Sequence, residues 1–113
     1  MARFLVTGGA GFIGSHLVDA ILANGDAVRV LDDFSSGKRE NLAGVADRID
    51  LLEGDVADPA VCARAVAGVD YVLHEAALAS VPKSVEDPAR NHRINVNGTL
   101  HLLLAARDAG VKR

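Results

Sequence analysis

Residues 5–17 read LVTGGAGFIGSHL and place four glycines within seven positions. Gly9, Gly11 and Gly14 satisfy G-x-G-x-x-G, while Gly8, Gly11 and Gly14 satisfy the related G-x-x-G-x-x-G spacing. Such bare backbone permits a tight turn, lets an anion approach the main chain, and allows a helix to pack close to a strand. The matching chemistry is recognition of a pyrophosphate by the free N–H groups and positive dipole end of a helix N-terminus. Asp32 follows eighteen residues beyond Gly14, near the separation at which an acid accepts hydrogen bonds from an adenosine ribose.

The elements needed to position these residues are legible around them. Four short apolar runs rich in β-formers read as strands: Arg3 to Thr7, Ala27 to Leu31, Ile49 to Glu53 and Asp70 to His74. The glycines sit directly after the first run, and Ile13, Leu17, Ala20, Ile21 and Asn24 then recur at helical spacing until Gly25. Asp58-Pro59 reads as an N-cap with a first-turn proline, ahead of Val61, Ala65, Val66 and the stop Gly68. A second pair, Asp87-Pro88, opens a longer helix that ends at Gly110. Residues 32 to 48 read as a loop with a turn or short helix around Lys38 to Ala43. Alternating strands and helices predict an α/β fold with a parallel sheet covered on both faces. Strand, glycine turn, helix and a second strand ending in Asp32 together predict a dinucleotide site. The Asp32 carboxylate would repel a 2′-phosphate and favours NAD, with Lys38 and Arg39 as the basic pair that would suit NADP.

Composition narrows the function classes. The 113 residues, half of them hydrophobic, suit one compact domain spanning 1–113, without internal repeat or linker. A net charge of −3 with scattered Lys and Arg argues against nucleic acid as a partner. No window approaches the roughly 20 apolar residues of a membrane span, and the N-terminus lacks the pattern of a signal peptide. Cys62, the only cysteine, reads as a core residue in a reducing compartment, and a cytoplasmic location is expected.

Several stretches together resemble the extended short-chain dehydrogenase/reductase family, and within it the NAD-dependent sugar-nucleotide epimerases and dehydratases. They are VTGGAGFIGSHL, VRVLDDFSSGKRENL, EGDVAD, GVDYVLHEAALASVPKSVEDP and NVNGTLHLLLAARDAGVKR. LDDFSSGKRENL with AALASVPKSVEDP is most similar to the 4-epimerases of UDP-glucose and UDP-N-acetylglucosamine. The resemblance implies a Rossmann-type doubly wound sheet, truncated, with strand order 3-2-1-4. It implies that backbone at Phe12 and Ile13 meets the pyrophosphate, with Gly8, Gly11 and Gly14 shaping the turn. Asp32 would take the adenosine ribose, with Asp33, Ser35, Ser36, Gly37 and Lys38 in the adjoining loop. Asp33 by itself reads as a turn-shaping residue. Asp55 and Val56 would flank adenine, and Ala76, Ala77, Leu78 and Ala79 would lie along the nicotinamide half. Ser80, Val81 and Lys83 fall where the family begins to meet a UDP-sugar. Taken alone, Lys83 also suits a solvated loop and Ser80 a turn hydrogen bond.

Other candidates read as structural. His16 is expected partly buried against the sheet, and His74 has no serine or acid arranged as a triad. His92 and His101 have no partner at metal spacing, so no metal is expected. Within the last helix, Asn95 would tie the helix to a neighbouring loop and Gly98 would allow close packing. The family's catalytic Ser or Thr and its Tyr-x-x-x-Lys pair would follow Lys112-Arg113. Tyr71, the only tyrosine, is followed four residues later by Glu75 rather than lysine. A base must take the hydroxyl proton as hydride leaves a sugar, so these residues predict the NAD-binding portion of such an enzyme, incompetent by itself. A different family enzyme, a dehydratase or decarboxylase, and a stand-alone nucleotide-binding or scaffold module are the alternatives. Strand four should present an open edge, and LHLLLAA in the last helix an apolar face, so a homo-oligomer through either is expected.

Overall fold

The computed structural model describes all 113 residues. Its β-rich runs become β1 (Arg3–Thr7), β2 (Ala27–Asp32), β3 (Asp50–Glu53) and β4 (Tyr71–His74). They form one parallel sheet in the order β3-β2-β1-β4, the arrangement expected. Thr7 is level with Leu31 on one side and His74 on the other, and Asp32 is level with Glu53. The C-terminal ends of all four strands therefore meet along one rim.

The two central strands, β1 and β2, bury alternate side chains against opposite layers. Leu5 and Leu31 pack with Val61, Cys62 and Ala65 of α2 (Pro59–Val66) and with Leu102 of α5 (Gly98–Ala109). Val6, Val28 and Val30 pack instead with Val18 and Ile21 of α1 (Phe12–Ala23) and with Leu42 of a 3-10 segment, Arg39–Arg48. Asp58 caps α2 by accepting the Ala60 amide at 2.9 Å, with Pro59 in the first turn. Arg29 closes the other end of α2. Its side chain, 13% exposed, ion-pairs with Asp50 at 2.8 Å and donates to the carbonyls of Ala65 and Ala67 at 2.8 Å each.

The helix opened by Asp87-Pro88 runs as α4 (Pro88–His92), a π-helical turn at Arg93–Asn97, and α5. Gly110, in the left-handed region, ends it. The wide turn coincides with Asn95, Asn97 and Gly98, the poor helix formers of this stretch. A site for a Gly98 Cβ would lie 2.9 Å from a Val56 methyl, so Gly98 gives the close packing expected of it.

Three expectations are corrected. His16 is exposed rather than packed on the sheet, with Nδ1 donating to the Phe12 carbonyl at 2.7 Å. The buried stripe of α1 runs through Gly14, Ser15, Val18 and Ile21, which leaves His16 outside it. Residues Val81–Glu86 form a short helix, α3, instead of a loop. The outer edge of β4 is not bare along its first half: Lys112 N donates to Asp70 O at 2.8 Å, and Val72 N donates to Arg113 O at 2.9 Å. The residues after Gly110 thus run alongside the first half of β4, joined to it by these two backbone bonds.

Candidate functional site

The rim where the strands end carries an open groove. It gathers the first glycines, the end of β2, the residues after β3 and the loop after β4, the place where open parallel sheets bind ligands. Gly8, Gly11, Asp32, Asp33, Ser35, Ser36, Gly37, Asp55, Val56, Ala76 and Ala77 all line it.

The glycine turn is bare for two separate reasons. Gly8 has φ +68, and a Cβ there would sit 2.8 Å from the Glu75 carbonyl carbon and the Ala76 nitrogen. That position accommodates both the left-handed backbone and the loop after β4. A Cβ on Gly14 would lie 2.1 Å from the Gly8 carbonyl oxygen, so Gly14 lets α1 seat against the turn and does not itself line the groove. Gly11 caps α1 without a side-chain bond, and no acid stands in the first turn. The amides of Phe12, Ile13 and Gly14 find no acceptor in the chain. They remain free donors at a positive helix end. The side chains of Phe12 and Ile13 face outward, 78% and 60% exposed, so these residues offer backbone only.

Asp32 is buried at the end of β2. Its Oδ2 accepts the Ala10 amide at 2.9 Å and its Oδ1 the Phe34 amide at 2.8 Å. A carboxylate has about four lone-pair sites, so after these two bonds each oxygen keeps capacity for a hydroxyl donor. The same bonds tie the glycine turn to the loop after β2, where Phe34 adopts φ +60. Arg39 lies over the Phe34 ring, 4.1 Å from its centroid, and ion-pairs with Glu53. Asp33 shapes its own turn, accepting the Ser35 amide at 2.9 Å and hydroxyl at 2.7 Å. Lys38 lies outside the groove lining, and its amide donates to Ala10 O at 3.0 Å. Asn41 reinforces that link from its side chain at 2.8 Å.

At the far end of the groove, Asp55 accepts the Ala57 amide at 2.9 Å and pairs with Arg93 at 2.7 Å. Burial works to raise the Asp55 pKa, but the Ala57 amide and the Arg93 guanidinium outweigh it and hold the carboxyl below its ordinary value. The thiol of Cys62 donates to the Val56 carbonyl at 3.0 Å, and burial, with Asp58 and Asp55 nearby, pushes its pKa up to about 11. An inert core thiol is the result.

On the β4 side, the loop is held by polar side chains. Asn95 accepts the Leu78 amide at 2.8 Å and donates to the Leu78 carbonyl at 3.0 Å, the tie read from its place in the sequence. Ala79 stands outside the groove lining. Ser80 caps α3 by accepting the Lys83 amide at 3.3 Å, and neither it nor the exposed Val81 and Lys83 lines the groove. The groove also includes Leu31, Gly54, Glu75 and Ile94, which sequence reasoning did not select. For Leu31, Gly54 and Glu75 the signal was adjacency to Asp32, Asp55 and Ala76; Ile94 had none, because it arrives from the π turn.

A parallel sheet of order β3-β2-β1-β4, with a glycine turn delivering free helix amides to its C-terminal rim, defines a Rossmann-type domain. The model of the NAD dependent epimerase/dehydratase family matches residues 4–113, and the chain belongs to that family. It is 46% identical over 114 residues to the UDP-glucose 4-epimerase of Mycolicibacterium smegmatis, covering 98% of this chain and 36% of that protein. Among solved structures, the Thermus thermophilus UDP-glucose 4-epimerase in complex with NAD superposes with a TM-score of 0.86 at 46% identity, covering 96% of this chain and 35% of that one. DesIV, a dTDP-glucose 4,6-dehydratase from Streptomyces venezuelae with NAD bound, gives a TM-score of 0.90 at 44% identity, covering 98% and 37%. The chain thus spans about a third of the length of these relatives, corresponding to their N-terminal NAD-binding region.

Proposed function

We propose that this chain binds NAD as the cofactor-holding part of a sugar-nucleotide enzyme, in the manner of the UDP-sugar 4-epimerases. The observation that carries this reading is a groove lined by Gly11, Asp32 and Asp55, with the three free amides of Phe12, Ile13 and Gly14 following directly on Gly11 at the start of α1, outside the lining itself. The amides of Phe12, Ile13 and Gly14 would receive the pyrophosphate, and the open lone pairs of Asp32 the ribose hydroxyls of the adenosine. Ser35, Ser36 and Gly37 would border that ribose; Lys38 would contribute only from its edge. Asp55 and Val56 would flank adenine, and backbone at Ala76, Ala77 and Ala79 the nicotinamide. The fit is supported by the bare turn, since side chains at Gly8 or Gly14 would collide with backbone. NAD supplies a hydride acceptor when bound.

Residues 1–113 would contribute binding and orientation, and they hold no Tyr-x-x-x-Lys pair. Tyr71, the sole phenol, stacks on Phe4 with centroids 5.1 Å apart and has no lysine four residues on. Reversible hydride transfer at sugar C4 would therefore require groups outside this span. Ser80, Val81 and Lys83 would approach the UDP-sugar there. The similar match to a 4,6-dehydratase supports a second reading in which the substrate is dTDP-glucose and the same cofactor half is used.

The exposed Leu100, Leu103 and Leu104 on α5 support association with a second copy through that helix. With β4 partly paired, this helix is the stronger of the two surfaces considered. No helix is long and apolar enough to cross a membrane, and a cytoplasmic setting would suit the free, buried Cys62.

Isothermal titration of the 113-residue chain with NAD and NADP is the test. Saturable binding of NAD, stronger than that of NADP and abolished by Asp32→Arg, is expected. Equal affinity for both, or affinity unchanged in the variant, removes Asp32 from the site.

A further inference from the structure

His74 has no part in the groove chemistry above, yet it sits at the centre of a closed hydrogen-bond relay. Its Nδ1 is 2.6 Å from the Thr7 hydroxyl, and its Nε2 is 3.1 Å from the Thr99 hydroxyl. The fully buried Thr7 hydroxyl also accepts the amides of Glu75 at 3.0 Å and Ala76 at 3.1 Å. Thr99 donates onward to the Asn95 carbonyl at 2.7 Å.

The proton inventory of these groups leaves one assignment. A hydroxyl has one proton and two acceptor lone pairs. The two amides occupy both lone pairs of Thr7, so its proton must go to His74 Nδ1. The imidazole is then neutral with its own proton on Nε2, which donates to Thr99, whose proton is already committed to Asn95. An imidazolium would carry a second N–H at Nδ1, facing the Thr7 O–H. Accommodating it requires the Thr7 hydroxyl to turn and release the Glu75 or Ala76 amide. Those residues begin the loop that packs on Gly8, while Asn95, at the other end of the relay, clasps that loop at Leu78.

We propose that His74 is a positioning residue whose neutral Nε2–H form pins the loop 75–78 against the glycine turn, so that protonating it loosens the β4 side of the dinucleotide groove. The surroundings agree. Thr7 from β1 and Asn95 and Thr99 from the last helix carry no charge, and Glu75 is the one charged group acting on the ring. Burial keeps the His74 pKa below its ordinary value despite the pull of that carboxylate toward the charged form.

This inference rests on the NAD reading for its functional consequence but not for the relay itself, and the test separates the two. Histidine 15N NMR of the full chain should show an unprotonated Nδ1 and a protonated Nε2 at neutral pH, with protection of the Glu75 and Ala76 amides falling as the ring titrates. An Nδ1–H tautomer, or amide protection indifferent to the titration, would overturn the relay whether or not NAD binds. NAD affinity should be flat above the His74 titration and fall below it, approaching tenfold per pH unit. His74→Asn places an Oδ1 acceptor where Nδ1 stands and cannot titrate, so it should retain near wild-type affinity at neutral pH and lose that acid dependence. Thr7→Ser should preserve both the tautomer and the pH profile. An acid fall of the same size in His74→Asn would assign it to another group and sink the coupling; an absence of NAD binding at every pH, with the tautomer as stated, would instead sink the cofactor reading.

Discussion

The two ends of the groove are built from different materials. On the β2 and β3 side, two carboxylates do the anchoring: Asp32 takes two backbone amides and Asp55 one, and Asp55 also pairs with Arg93. On the β4 side, no charge participates in the anchoring, and the loop hangs from Thr7, His74 and Asn95. The first arrangement holds its shape across neutral pH because ionised acceptors make strong bonds to N–H donors. The second depends on one imidazole remaining neutral and on a sheet whose outer strand is only partly paired. The adenosine half is thus a firm platform, and the opposite half an adjustable one.

The largest expected effect falls on the turn common to both halves. Gly14→Ala would drive a Cβ into the Gly8 carbonyl, and because backbone cannot yield as a side chain can, a loss of about 3 kcal/mol in urea unfolding is expected. On the firm side, Arg29→Met removes a nearly buried guanidinium from the α2 carbonyls and should cost about 2 kcal/mol. The Asp50 carboxylate left behind is 66% exposed and so is not stranded. Asp32→Ala deprives the Ala10 and Phe34 amides of their acceptor along with any ribose contact. A loss of NAD affinity of about tenfold to a hundredfold by calorimetry is expected from charge-assisted bonds of this kind.

The pH dependence of stability should distinguish the two ends. His74 has a folded-state pKa below its ordinary 6.5, so the unfolded chain takes up its proton first. Its stabilising contribution is present above that pH and is lost as pH falls through the depressed value. Asp55 is held below its ordinary 3.8, so the firm side should weaken only at pH values under that figure. Melting temperature followed across this range should therefore fall in two stages, with His74→Asn removing the first. The smallest effect belongs to Leu103→Glu on α5: a position 63% exposed should change monomer stability by less than about 0.5 kcal/mol, while shifting the mass measured by light scattering to that of one chain.

The firm side was the more legible in the sequence. Its residues are strand-end acids and glycines, whose types announce their roles at fixed spacing from β1 and β2. The adjustable side depends on pairings between distant positions, such as Thr7 with His74 and Asn95 with Leu78, that no local pattern reveals. Elsewhere, α3 carried its signal in Ser80 and Pro82, an N-cap followed by a proline in the first turn, but the short apolar content read as loop. The π turn displaced the register that periodicity assumes, and it alone carries Ile94 into the groove. His16 lies off the buried stripe of α1 because that stripe runs through small residues, Gly14 and Ser15, which apolar spacing does not mark, as well as through Val18 and Ile21. The pairing of Lys112 and Arg113 with β4 is made by backbone, which side-chain type does not encode.

The central claim is that free amides at the start of α1 receive the dinucleotide between these two ends. Backbone 1H–15N spectra of the 113-residue chain titrated with NAD test it most directly. The account predicts saturable shifts centred on Phe12, Ile13 and Gly14, extending to Ala10, Phe34 and Ala57. Shifts confined to other parts of the chain, with those amides unmoved at saturation, would contradict it.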